Sequence, residues 1–330
     1  MKKIHILIPS LVAAVSMPFI GLVGCGHEPQ PEPEEPRPIF NECEWSLVVD
    51  MCNGLEDGSI DEQTFCDTFY IDGNLEKEGI QKKKPTSLDD FVGQPRYLTV
   101  NSLPHQVIVL DHQKDTISAT SKKASLTFQF VNVICEKIDE EFSRRIIVAW
   151  NETGDSKDYW NSTLFHKLND EEDGGVLSVY EMIQASDNAV AAAIKAVSRT
   201  VMTGEWDQPA VLITQPVKLF EPTLADVFSV QGLQNAEEEP VCNHANEYAR
   251  EGSQYAYYAL ESNIGQDNFV INCDYQCLDR YDFVSGVYGY WFTSQWKDDK
   301  NGHIIIRQRG EFYPYSYADV EEALAPCFCI

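Results

Sequence analysis

Apolar and polar residues alternate in short bursts along most of this chain, each burst closed by Gly, Asn, Asp or Pro. The clearest is Ser125-Leu-Thr-Phe-Gln-Phe-Val131, where Leu126, Phe128 and Phe130 share one face of an extended chain. Trp45 to Asp50, Arg96 to Val100, Gln106 to Leu110 and Arg145 to Trp150 are predicted strands of the first half. Ala210 to Thr214, Asn268 to Ile271, Val287 to Phe292 and His303 to Arg307 follow later. The last two flank Lys300-Asn301-Gly302, whose Asn-Gly supplies the positive φ angles of a tight hairpin turn. One stretch reads as a longer helix, Ser186 to Ser198, alanine-rich with a serine cap and an acid in its first turn. A second, short helix is expected over Tyr317 to Leu324. Many strands and few helices predict a mainly β protein built as two β-sandwich domains of transthyretin or immunoglobulin type, with one or two short helices.

A different pattern occupies the N-terminus. Lys2 and Lys3 precede an apolar run from Ile4 to Ile20, which ends in Gly21-Leu22-Val23-Gly24-Cys25. Charge, apolar run and small-residue cleavage site are the order of an export signal. The alternative is an uncleaved transmembrane helix, since about 20 apolar residues reach across a bilayer. Pro9, Pro18 and the small residues before Cys25 weigh against it. The last four residues resemble the lipobox of bacterial lipoproteins, and the resemblance implies that Cys25 carries a diacylglycerol and becomes the mature N-terminus. From Gly26 to Pro38 proline or acid fills most positions, so nothing there seeds a core and an extended tether is expected. The predicted organisation is therefore a signal over 1–24, a lipidated acidic tether over 25–42, and sandwich domains over 43–233 and 234–330. The last boundary falls in the acidic stretch Gln234 to Pro240.

Charge narrows the partners. The chain has a formal net charge of −27, which falls to −29 once Lys2 and Lys3 leave with the signal. Such a field excludes nucleic acid and repels anionic lipid, so attachment to a membrane would rest on acyl chains. Ten cysteines argue for an oxidising compartment. With Cys25 assigned to lipid, Cys43, Cys52, Cys66, Cys135, Cys242, Cys273, Cys277, Cys327 and Cys329 remain as candidates for disulfides, an odd number whose connectivity spacing does not reveal. A bond from Cys273 or Cys277 to the Cys327/Cys329 end is expected to staple the second domain, since Cys327 and Cys329 are too close in sequence to bridge each other comfortably. Zinc is the competing use. Cys242-Asn-His244, Cys273-x3-Cys277 and Cys327-x-Cys329 do not repeat the paired spacing of a zinc ribbon, and no cofactor is expected.

Several motifs invite a catalytic or metal reading. Leu177 to Ile194 contains Ser186-Asp187-Asn188 and resembles the Ser-Asp-Asn segment of serine β-lactamases and penicillin-binding proteins. That chemistry needs a Ser-x-x-Lys nucleophile upstream. The upstream imitation is Thr120-Ser-Lys-Lys123, and Ser294-Gln-Trp-Lys297 lies on the wrong side. Without an activated serine no acyl-enzyme forms, so no catalytic residue is assigned and Ser186 is expected to cap a helix. Asn53 to Asp61 has the glycine of a calcium loop but puts Leu55 and Thr64 at ligand positions, which makes it a turn. The acidic run Asn169 to Gly175 reads as a solvated loop. Asn151-Glu-Thr153 and Asn161-Ser-Thr163 match the glycosylation sequon, but a lipobox argues against a host that uses it. Tyr288, Tyr290, Trp291 and Trp296 crowd the last hairpin, half of them expected in the core and the rest available to a sugar or a protein.

The order Ser125 to Phe130, Arg144 to Trp150, Tyr159 to Leu164 and Ala210 to Val217 is similar to that of fimbrillin-type surface lipoproteins, with Gln215-Pro216-Val217-Lys218 where their Arg-Pro-x-Ala would stand. The resemblance implies two transthyretin-like sandwiches in an adhesin, pilus anchor or tip protein, without catalytic residues. Its partners would be pilus subunits, other surface proteins or glycans. A cell-surface lipoprotein with a structural or adhesive role is the leading expectation, and a glycan- or protein-binding module of a nutrient-uptake system the alternative. A penicillin-recognising serine enzyme ranks third.

Overall fold

A computed structural model describes residues 37–73, 82–131, 133–137, 143–152, 158–170, 177–204, 208–236, 239–260, 290–295, 297, 302–306 and 312–330. The body opens with two helices, α1 (Trp45–Asp57) and α2 (Glu62–Thr68). Here the expected strand at Trp45 to Asp50 is overturned. Val48 and Val49 favour a strand locally, but Val48, Cys52 and Leu55 recur at helical spacing and turn one stripe inward. Gly58 ends α1 at φ 78°, a conformation that glycine adopts without strain. Asp61 then caps α2 by accepting from Thr64 N at 2.8 Å.

Strands β1 (Ile71–Asp72) and β2 (Lys82–Lys83) form a small ladder, followed by β3 (Pro95–Val100), β4 (Leu103–His112) and β5 (Leu126–Phe130). Next come β6 (Cys135–Lys137), β7 (Ser143–Arg145) and β8 (Ile147–Ala149). Helices α3 (Thr163–Asn169), α4 (Val179–Ser186) and α5 (Asn188–Ala193) lead to β9 (Val197–Thr203), β10 (Val211–Val217) and β11 (Leu219–Phe220). Short helices α6 (Leu224–Val227), α7 (Val230–Gln234), α8 (Glu239–Asn243), α9 (Ala245–Tyr248) and α10 (Ala256–Ala259) follow. The chain closes with β12 (Tyr290–Gln295), β13 (Gly302–Ile306), β14 (Phe312–Tyr317), β15 (Glu321–Ala323) and β16 (Cys327–Cys329).

These strands make two five-stranded sheets, ordered β11-β16-β5-β4-β3 and β14-β13-β12-β15-β8, beside two-stranded ladders including β9-β10. Ten helices accompany them among the described residues, so the architecture is a mixture of helix and strand and not two sandwiches. The boundary expected at residue 234 has no counterpart, because Arg37–Ile330 forms one compact unit. Pairing explains why: β16 inserts between β11 and β5, and β15 pairs with β8, so late strands complete early sheets.

Central strand β5 is buried on both faces. Its apolar face carries Phe128, stacked on Phe328 with ring centroids 5.3 Å apart and met edge-on by Trp45 of α1 at 5.4 Å. Beside it Phe40, Phe65, Phe69 and Phe91 pack edge to face, Phe40 and Phe91 at 5.0 Å. The opposite face of β5 presents Thr127 and Gln129, and it meets the polar cluster described below. The helix expected over Ser186 to Ser198 is shorter and divided. It starts at Asn188, capped by Asp187 and not by Ser186, and Val197-Ser-Arg-Thr-Val-Met-Thr alternates inward and outward as strand β9. Tyr317 to Leu324 holds the end of β14, a turn and β15, not a helix. The strand expected at Asn268 to Ile271 lies outside the described residues.

Candidate functional site

The densest chemistry in the body is a buried polar seam across the inner face of β5. Arg199 of β9 sits at its centre because the alternation of β9 points it inward with Val197 and Val201. Its Nη1 donates to Asp115 Oδ1 at 3.0 Å and to the Tyr255 hydroxyl at 3.2 Å, its Nη2 donates to Asp226 Oδ2, and its guanidinium lies 4.4 Å from the Phe220 ring centroid. Asp115 also accepts from Thr127 Oγ1 at 2.6 Å and from the Tyr255 hydroxyl at 3.1 Å. Asp226 is fixed from the other side by a reciprocal cap with Thr223 at the start of α6. Gly252 permits this approach, since a Cβ there would stand 2.9 Å from Asp226 Oδ1. Burial alone would push the Arg199 pKa down, but Asp226, Tyr255 and Asp115 together hold it well above its ordinary value.

Two more carboxyls border the seam. Glu221 accepts from Ala325 N at 3.0 Å, and burial holds its pKa well above the usual carboxylate range. Glu251 accepts from Met202 N at 2.9 Å through Oε1 and from the Ser294 hydroxyl through Oε2. A serine hydrogen-bonded to a carboxyl has the makings of a nucleophile and base. Ser294, however, is fully buried and its oxygen already accepts from Leu224 N at 2.9 Å, so the pair ties elements together and offers no face to a substrate. Lys297, the other end of Ser-x-x-Lys, donates to Gln208 O at 3.1 Å.

The other motifs are likewise consumed locally. Asp187 spends its carboxylate on Val190 N at 3.0 Å, and Ser186 Oγ accepts from Ser102 N at 3.4 Å, so Ser186-Asp187-Asn188 is the corner between α4 and α5. Thr120 to Lys123 lies in a surface turn, where Lys122 Nζ donates to Glu56 O at 2.8 Å and Lys123 Nζ to Lys114 O at 2.6 Å. Asp57 accepts from Ser59 N at 2.8 Å, so the loop between α1 and α2 uses its acids as turn and cap. Asn169 pairs with both backbone groups of Leu219 at 2.9 Å, in effect an extra strand partner, and residues 171–176 beyond it lie outside the described set. Among the described residues no group of His, Cys, Asp or Glu is arranged to hold a metal ion, and no helix is long and apolar enough to cross a membrane.

The cysteines are dispersed. Cys25, Cys273 and Cys277 lie outside the described residues. Cys135 is disulfide-bonded. Cys52 and Cys66 are buried thiols of α1 and α2, and burial pushes their pKa values up, that of Cys66 to about 11. Cys43 is half-buried against Arg96, whose Nη1 approaches its sulfur at 3.4 Å and whose Nη2 donates to its carbonyl at 2.6 Å. Cys242, in α8, is half-buried too. Cys327 and Cys329 are thiols, so the staple expected from this end is not formed. The register of β16 on β5 explains it: Phe328 joins the apolar face, which turns both sulfurs into the seam, where Cys329 Sγ lies 3.6 Å from Asp115 Oδ2. Among the described cysteines, these two touch the site.

Sequence reasoning passed over Asp115, Arg199, Glu221, Asp226, Glu251 and Tyr255. A signal existed for Arg199, a charge at an inward position of an alternating strand, and for Thr223-Leu-Ala-Asp226, a capping box. Comparison with protein-family models, curated proteins and solved structures finds no significant match.

Proposed function

We propose that this chain is a lipid-anchored protein of the cell envelope whose folded body serves as a structural or adhesive module. The observation that carries the reading is the order Lys2-Lys3, apolar run, small residues and Cys25, followed at once by an acidic, proline-rich tether. Among the described residues, the Ser186-Asp187-Asn188 corner, the Thr120 to Lys123 turn and the buried seam use their polar side chains locally, and the chain's acidity favours solubility and not contact with nucleic acid. The resemblance to fimbrillin-type lipoproteins gives the finer version, a pilus anchor or tip protein. Growing cells on a labelled fatty acid tests the anchor: the wild type takes up label and Cys25→Ser does not. Equal labelling of the two, or none, removes the reading.

A second reading, a glycan- or protein-binding module of an uptake system, is favoured by one surface feature. Tyr97 projects from edge strand β3 with 62% of its surface exposed, and the half-buried Trp45 indole donates to its carbonyl at 2.8 Å. Flat rings in such a place suit stacking on a sugar. Glycan-array binding that drops on Tyr97→Ala would select this reading, and unchanged or absent binding would reject it.

A further inference from the structure

Strand β9 fixes the β9-β10 ladder to the body. Arg199 pairs with the buried Asp115 and Asp226, Met202 N donates to Glu251 Oε1 at 2.9 Å, and Ser198 N donates to Thr116 O at 2.8 Å. The last two bonds also set the phase of the ladder. Backbone groups of successive strand residues point to alternate sides, so Ser198, Thr200 and Met202 turn their N–H groups away from β10. Val197, Arg199, Val201 and Thr203 bond across to their register partners Val217, Gln215, Ile213 and Val211. On β10 the residues between these are the outward ones. The N–H and C=O groups of Leu212 and Thr214, and the C=O of Pro216, therefore line an outer edge on which no strand sits among the described residues.

Such an edge is a template for another strand. Edge strand β3 is obstructed, since it begins with Pro95 and the Trp45 indole takes the Tyr97 carbonyl. On β10 the stretch Val211 to Gln215 carries no charge, Val211 is 54% exposed, and Leu212 and Ile213 are half-buried. Pro216 has no N–H to offer and limits pairing to the residues before it.

We propose that the β10 edge binds a second copy of itself, antiparallel, about a two-fold axis at Ile213, so that the β9-β10 ladders of two molecules join in one sheet. The phase of the strand selects this occupant and this register. With the axis at Ile213, Leu212 lies opposite Thr214 of the second copy and Thr214 opposite its Leu212, and each pair exchanges both ladder bonds. Moving the axis to Thr214 sets Leu212 against Pro216, which returns no donor. Moving it to Leu212 sets Thr214 against Ala210, outside the strand. Ile213 then faces Ile213, and Val211 faces Gln215, at the closer positions of the ladder. Charge points the same way. Like charges directly opposite each other repel, and in a chain of net charge −27 this uncharged strip lets two copies meet without them. The contact is independent of the lipid anchor.

At the axis the two Cα atoms stand about 4.5 Å apart, within the span of a disulfide. Ile213→Cys in the full chain, purified in detergent, is expected to form a 213–213 disulfide on mild oxidation. Mass spectrometry of non-reduced peptides separates that link from any made by native thiols such as Cys43 and Cys242. Val211→Cys and Gln215→Cys should each give no self-link, and a 211–215 link when the two proteins are mixed. Adding Leu212→Pro to Ile213→Cys removes an outward N–H and no bond to β9, so the link should be lost while circular dichroism stays that of the folded parent. Absence of the 213–213 link, equal self-linking by Val211→Cys, or a link that survives Leu212→Pro overturns the proposal. So does oxidation of producing cells that joins residue 213 to a peptide of another protein in place of the second copy, which would give the edge to a different partner.

Discussion

Replacing Arg199 with methionine probes the seam most sharply. Methionine retains an unbranched apolar stem over Phe220 but removes the guanidinium that pairs with Asp115 at 3.0 Å and with Asp226. Both carboxylates are at least nine-tenths buried, at 6% and 1% exposure, so neither recovers its water when the partner goes. Breaking one side of a buried pair costs about 3–5 kcal/mol, and the lost cation–π contact adds roughly 0.5–2 kcal/mol. The expected loss is therefore about 4 kcal/mol or more, near a thousandfold in the unfolding constant. Urea titration at neutral pH, followed by circular dichroism, measures it with little change in slope. If the cost is stranded charge and not lost packing, Arg199→Met combined with Asp115→Asn and Asp226→Asn recovers most of it. A single variant within about 1 kcal/mol of wild type, or a triple variant no better than the single, would refute the reasoning.

His105 is buried against the Phe130 ring, and burial pushes its pKa down to about 4 from 6.5. Its stabilisation is complete above pH 6.5 and is lost as pH falls toward 4, so nuclear magnetic resonance should show its ring untitrated at pH 5.5, where an exposed imidazole is mostly charged. Phe128→Ala opens the core under α1 and should cost about 3–5 kcal/mol by urea unfolding. Asp187→Ala removes the cap of α5 and should cost about 1 kcal/mol, whereas Ser186→Ala should cost less than half of that. The reverse order would show that Ser186 holds the corner.

Period-two alternation was the readable part of this fold. Strands at Arg96 to Val100 and Ser125 to Val131 form where it places them, because a side chain on a pleated strand has only two faces to choose from, and the β-branched run at Ala210 to Thr214 falls in β10. Trp45 to Asp50 misled because a six-residue window full of valine looks extended. The helical stripe appears only when the window reaches Leu55. Ser178-Val-Tyr-Glu181 opens α4 with a complete capping box and was legible but overlooked. Sheet order was not legible at all. Nothing local to Cys327-Phe328-Cys329 says that it pairs with Thr127 to Gln129, about 200 residues away, and that pairing decides that the two sulfurs face the seam. The seam itself joins Asp115, Arg199, Asp226 and Tyr255 from distant parts of the chain, so only the inward-pointing arginine and the capping box that ends in Asp226 left a local trace.

The proposed function rests on the proposal that Cys25 becomes the mature, lipid-bearing N-terminus. Mass spectrometry of the N-terminal peptide of protein recovered from membranes tests it directly. The account predicts a peptide that begins at Cys25 and carries a diacylglyceryl group. A peptide that begins at Met1, or one that contains an unmodified Cys25, would contradict it.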